Sequence, residues 1–242
     1  ISYLLKKYTG IRFYKKFKRP LLTALQKKQA RPKCRSMYFK YRKTDFIIDD
    51  ESYFTLDHTS QPGNDSFYSD DVNKTPDNAK YDFREKFPPQ LLVWIAISPK
   101  GTSRPIFRRS GLAINSESYL EILEKSLVPF IKKHYSSGGY VFWPDLATAH
   151  YSSIVQNYLK SKNIPVVLRS INPANLPKAR PIEDFWGNLK AEVYKGDWKA
   201  KNLDELQNRI VSVLGNLDPK FVQNHAKSTK KRLDQIRRRG LD

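Results

Sequence analysis

Tyr140-Val141-Phe142-Trp143-Pro144-Asp145-Leu146-Ala147-Thr148-Ala149-His150-Tyr151 is the stretch whose reading decides the fold. Apolar, strand-forming residues run up to a single carboxylate, Asp145. A short loop leads to His150, and a helical pattern follows in Ile154, Val155, Tyr158 and Leu159. Asp145 is thus expected at the carboxyl end of a buried strand, where open α/β sheets bind their ligands. The question is which other carboxylates meet it there.

Upstream, Asp45–Leu56 reads as a strand, rich in β-branched and aromatic residues, with Asp49-Asp50-Glu51 at its centre. Carboxylates inside an otherwise apolar strand are costly unless paired or bound to metal; the alternative is a turn between two short strands. Leu91–Ser98 is a buried strand, Pro99-Lys100-Gly101 a turn, and Arg104–Arg108 the returning strand of a hairpin. Ser116–His134 carries an apolar stripe (Tyr119, Ile122, Leu123, Leu127, Phe130) and predicts one helix. Downstream of Asp145 come a helix over 151–162, a short parallel strand over 164–168, and a proline-rich loop over 170–180. Pro181-Ile182-Glu183 then opens a helix, and further helices are expected over 203–217 and 219–239. Three antiparallel strands followed by parallel ones, with helices between, predict a mixed α/β sheet covered on both faces.

The 242 residues carry a net charge of +20, which implies a polyanionic partner, nucleic acid first. Residues 1–44 hold 15 Lys/Arg and no acid, and Lys227–Arg239 adds seven basic residues against Asp234. The candidate DNA contacts are Arg12, Lys15, Lys16, Lys18 and Arg19, in a basic-aromatic segment that also suits nuclear import, with Lys230, Lys231 and Arg232 near the other end. One cysteine, Cys34, excludes a disulfide framework. The longest apolar run, Leu91–Ile97, is too short for a bilayer, so no membrane partner is expected. The chain opens on Ile1 rather than Met, which reads as a fragment or processed product.

Asp50, Asp145 and Glu183 share a rationale if the strands carrying the first two are neighbours and the loop before Glu183 closes over them. Three carboxylates around one cleft cannot all stay ionised and unpaired. Hard divalent cations resolve the conflict; Mg²⁺, with Mn²⁺ able to substitute, is the expected cofactor. Two ions about 4 Å apart would activate a water or a 3′-hydroxyl and stabilise the leaving oxygen of a phosphodiester. His150 either supports this site or is a hydrogen-bonded histidine at a helix start. Trp143 and Trp186 read as core. Asp49 remains open as an alternative to Asp50, and Asp184 to Glu183.

Four motifs in order resemble the catalytic half of Tc-one/mariner transposases: Asp50-Glu51-Ser52 after an apolar strand; Val93-Trp94-Ile95-Ala96-Ile97-Ser98-x-x-Gly101; Phe142-Trp143-Pro144-Asp145-x-Ala147-x-x-His150; and Pro181-Ile182-Glu183-Asp184-Phe185-Trp186-Gly187-x-Leu189-Lys190. The resemblance covers roughly residue 20 to the end. It implies a ribonuclease-H-like fold with an Asp-Asp-Glu metal triad on Asp50, Asp145 and Glu183. It also implies cut-and-paste transposition on double-stranded DNA, at element terminal repeats and target sites, by a homodimer in the nucleus. The same resemblance makes residues 1–44 a basic linker behind a truncated helix-turn-helix region, 45–242 the catalytic domain, 57–80 a subunit-clamping insert and 219–242 a basic C-terminal helix. The sequence departs from the family pattern in Leu146, in the 37 residues between Asp145 and Glu183, and in the loop Asn172–Pro177. The alternative is a catalytically silent, host-retained DNA-binding descendant.

Overall fold

The computed structural model describes residues 22–56, 69, 71, 73–80, 89–109, 114–174 and 176–241. Arg12, Lys15, Lys16, Lys18 and Arg19 and most of the insert 57–80 lie outside the described residues.

Helix α1 is Ala24–Lys40. Thr23 caps it reciprocally with Gln26. The helix runs unbroken through Pro32. Pro32 and Lys28, whose carbonyl loses its partner, are both exposed, so water can satisfy it. Strand β1 (Asp45–Thr55) follows, then a single turn, α2 (Asp77–Lys80), and strands β2 (Gln90–Ser98), β3 (Gly101–Thr102) and β4 (Ile106–Arg108).

The predicted helix over 116–134 is α3 (Ser116–Ile122), a π-helical segment (Leu123–Leu127) and α4 (Val128–His134) in succession. Pro129 explains the break: it cannot donate to the turn behind it, and the wider π turn makes room for its ring. Gly138 and Gly139, both left-handed at φ 79° and 80°, turn the chain into β5 (Tyr140–Trp143). A 3₁₀ turn (Ala149–Tyr151) leads to α5 (Ser153–Ser161). The strand expected over 164–168 is only a parallel bridge of Val166 to Phe142. Pro165 lacks a donor there, and Asn163 is left-handed at φ 55°. After a 3₁₀ turn (Pro177–Ala179) come α6 (Ile182–Val193), α7 (Leu203–Asn216) and α8 (Pro219–Arg239).

β2 pairs antiparallel with β1, β3 and β4, and β1 pairs parallel with β5, ending at Ile48 opposite Trp143. This is the mixed sheet the sequence predicts. Alternation along β1 sends Phe46, Ile48 and Phe54 to one face, under α1, α6, α7 and α8. Ile47 goes to the other, under α3, α4 and α5. Both faces are buried, so β2 is apolar at every position from Leu91 to Ile97. Ala30, Cys34 and Met37 of α1 are buried in the core shared with Val222 and Leu233 of α8. Among the described residues no helix is long and apolar enough to cross a membrane.

Candidate metal centre

Asp50 sits at the middle of β1, two residues past the end of its parallel ladder with β5, and Asp145 lies two residues beyond β5. With Glu51 they form a group whose carboxylate oxygens lie within 4.8 Å of one another. An all-oxygen, half-buried donor set suits a hard divalent cation. Glu51 Oε1 is buried without a hydrogen-bond partner, which leaves it available to such an ion.

The three consecutive acids divide between the faces. Asp49 points into the layer under α3, 1% exposed, and accepts from Trp94 Nε1 (3.1 Å) and Tyr119 Oη (2.6 Å). Asp50 points the other way and accepts from Trp186 Nε1 at 3.1 Å. Burial pushes the Asp50 carboxyl up to about 7; Arg180 opposes this, while Glu183, Glu51 and Asp49 add to it. Two of the three acids that crowd Asp50 are its own chain neighbours.

Glu183 stands exposed on the first turn of α6. It is outside the close group, although its charge raises Asp50. Asp184 turns away to pair with Arg232 of α8. Asp50 thus feels the charge of Glu183, while Asp49 accepts from Trp94 and Tyr119 and Asp184 pairs with Arg232.

His150 is 3% exposed and stacks on Tyr119, with ring centroids 3.8 Å apart. Its Nδ1 lies 2.6 Å from Asp145 Oδ1 and its Nε2 3.7 Å from Glu51 Oε1. The Nδ1 contact is an ion pair rather than an aligned hydrogen bond. Burial alone would lower the imidazole, but Asp145, Glu51 and Asp49 push it up to about 10. Burial alone would raise Asp145; the His150 ring, the Ala147 N–H (2.8 Å) and Arg180 hold it down at about 2. His150 thus lies between Asp145 and Glu51 of the acidic group.

Three side chains of this centre have no sequence signature. Arg180 is a lone buried cation in an irregular loop. Tyr119 looks like one more member of an apolar stripe. Trp186, read as core, is core, and also donates to Asp50. Only its place among the three acids in β1 signalled Glu51, since period-two alternation groups it with Asp49 rather than with Asp50. Of the candidate DNA contacts, Lys231 is exposed and Lys230 half-buried. Arg232 is tied to Asp184 and to Ser228 Oγ (3.0 Å), so it fastens α8 to α6.

No protein-family model matches the chain. Over 190 residues it is 28% identical to the transposable element Tc3 transposase of Caenorhabditis elegans; the match covers 78% of this chain and 54% of that protein. The chain therefore spans about half the length of the curated relative it matches. Its fold is similar to the Mos1 mariner paired-end complex with Mn, at TM-score 0.79 and 13% identity, covering 100% of this chain and 70% of that one. It is also similar to the catalytic domain of Mos1 mariner transposase alone, at TM-score 0.66 and 13% identity, covering 92% and 97%. That likeness carries the ribonuclease-H-like fold. In sequence the chain resembles the Tc3 transposase, and in fold the catalytic domain of Mos1 mariner transposase.

Proposed function

We propose that this chain cuts and rejoins DNA phosphodiester bonds as the catalytic part of a cut-and-paste transposase, dependent on divalent cations. The observation that carries the reading is the convergence of Asp50, Glu51 and Asp145 just past the end of the parallel β1–β5 ladder. Asp50 and Asp145 would hold Mg²⁺ or Mn²⁺, with Glu183 completing the triad and two ions in the working site. Bound there, the metal supplies an activated water or 3′-hydroxyl and neutralises charge building on the phosphate.

The chain's own residues do the rest. Trp186 orients Asp50, and His150 holds Asp145 from the far side. Glu183 sits on a helix end open to solvent, where a DNA strand can approach. The complexes of similar fold include a Mos1 paired-end complex with a left transposon end and one with Mg, which supports double-stranded DNA as partner and divalent metal as cofactor here. Terminal repeats and target DNA as substrates, a homodimer on DNA, a nuclear location, the division into 1–44 and 45–242, and the clamp role of 57–80 belong to the same proposal. The intact carboxylates favour it over a silent DNA-binding descendant, which would have no use for three acids crowded together.

Calorimetric titration with Mn²⁺, in wild type and Asp145→Asn, with and without DNA, tests it. Saturable uptake lost in the variant is expected; no uptake by the wild type even with DNA would overturn the reading. For the DNA contacts, removing residues 1–20 takes away seven cations. That should flatten the dependence of log affinity on log salt by up to about 6.

A further inference from the structure

Arg180 is 7% exposed, although it lies in the irregular loop ahead of α6. Its Nη1 donates to the Trp143 carbonyl at 3.2 Å and its Nη2 to the Asp49 carbonyl. Its Cζ lies 5.5 Å from the centroid of the Trp143 ring. The two carbonyls belong to different strands, at the end where the β1–β5 ladder stops. Asp49 immediately precedes Asp50, and Trp143 is two residues ahead of Asp145. The backbone carbonyl of Arg180 accepts the N–H of Glu183 at 3.4 Å. One residue thereby touches the backbone of all three elements that carry the triad.

The same loop grips the end of β5 a second time. Asn172, 2% exposed, accepts from Trp143 Nε1 (2.8 Å) and donates through Nδ2 to the Pro144 carbonyl (2.9 Å). Trp143 and Pro144 are held between Asn172 and Arg180, and Asp145 follows directly. A guanidinium can make this bridge because its donors form a rigid planar fork; an ammonium is a single point on a flexible stem. A buried cation beside a cation site weakens that site electrostatically. What Arg180 can add is geometry.

We propose that Arg180 is a positioning residue of the carboxylate centre: its fork between the Asp49 and Trp143 carbonyls sets the spacing of Asp50 from Asp145. The proposal rests on the metal-site reading above, and its test separates the two.

The full chain would be compared with Arg180→Lys, which keeps the charge and loses the fork, and with Arg180→Gln, which loses both. Amide hydrogen exchange over residues 145–150 reads the geometry, and Mn²⁺ titration by calorimetry reads the site. In both variants, exchange at 145–150 should speed up at least tenfold while α1 and α8 exchange as in wild type. Mn²⁺ affinity should fall at least tenfold in both, with no rescue by Lys. If Lys matches wild type in both measurements, or Gln binds Mn²⁺ more tightly with exchange unchanged, Arg180 acts only through its charge and the proposal is wrong. Unfolding of both variants would also overturn it, because the role would then belong to the whole core. If the wild type takes up no Mn²⁺, the metal reading falls, and the exchange rates still decide whether the fork fixes these strands.

Discussion

Asp49 and Asp50 are adjacent in sequence, and the pleat of β1 sends them to opposite sides of the sheet. Under α3, Asp49 meets Trp94 and Tyr119, two neutral donors in a closed layer. Under α6, Asp50 meets one donor, Trp186, and otherwise faces Glu51, Asp145 and the charge of Glu183. Both carboxyls are raised from their ordinary value, chiefly by burial. The surroundings differ: Asp49 is an acceptor built into the core, whereas Asp50 faces other acids and has room for a cation. A carboxylate in an apolar strand is therefore no evidence of a ligand until its face is known.

Substitutions on the two faces should separate these roles. The largest effect is expected from Asp145→Asn, which should reduce metal-dependent DNA cleavage by at least about a thousandfold, some 4 kcal/mol. DNA affinity should stay within a few-fold of wild type. Equal loss of cleavage and DNA binding, measured on one labelled duplex, would mean that Asp145 serves folding. Asp50→Asn should abolish Mn²⁺ uptake with the melting temperature unchanged or raised, since it removes a carboxylate repelled by its neighbours. Asp49→Ala should do the reverse. It strands two buried donors at a cost of about 1–3 kcal/mol, which lowers the melting temperature by about 2–4 °C per kcal/mol. If Asp49→Ala lost metal and kept its stability, the assignment of the two faces would be inverted.

Acidity gives a smaller, graded effect. A proton on Asp50, whose carboxyl is raised to about 7, competes with the metal. Mn²⁺ affinity should rise by up to tenfold per pH unit below about pH 7 and level off above it. A flat profile from pH 5.5 to 8 would show that Asp50 is not the group that titrates. For stability without metal, the Asp50 contribution is present below its ordinary value near 4 and lost as pH rises through about 7. The Asp145 contribution runs the other way: it is present above about 4 and lost as pH falls toward about 2. That of His150 is complete below its ordinary value near 6.5 and lost as pH rises through about 10. Added Mg²⁺ should thus stabilise the chain more at pH 8 than at pH 5 in thermal melts. The smallest effect should come from Trp186→Phe, which removes one hydrogen bond to Asp50 and keeps the ring. Mn²⁺ affinity should weaken by roughly two- to tenfold, and a loss beyond a hundredfold would give Trp186 a larger part than orientation.

Much of the molecule follows from pattern alone. The strands at 45–55, 90–98 and 140–143 are runs of β-branched and aromatic residues, and a sheet buried on both faces needs such runs. The helices carry stripes at the helical period, so their buried faces could be named from spacing. That Asp50 and Asp145 each follow an apolar run is legible in the sequence; that their strands are neighbours is decided by the fold. Local chemistry misled where a proline was involved. Pro129 reshapes a helix without ending it, and Pro165 reduces a strand to one bridge.

What only the tertiary structure decided is the partner of each polar side chain. Arg232 and Asp184 lie 48 residues apart and fasten two helices. Tyr119, His150 and Asp49 come from a helix, a 3₁₀ turn and a strand to make one buried network. Arg180 reaches back 131 residues to the carbonyl of Asp49. Hydrophobic burial depends on period, and period is written along the chain. A hydrogen bond or an ion pair depends on distance and direction between residues far apart in sequence, and those exist only once the layers have packed.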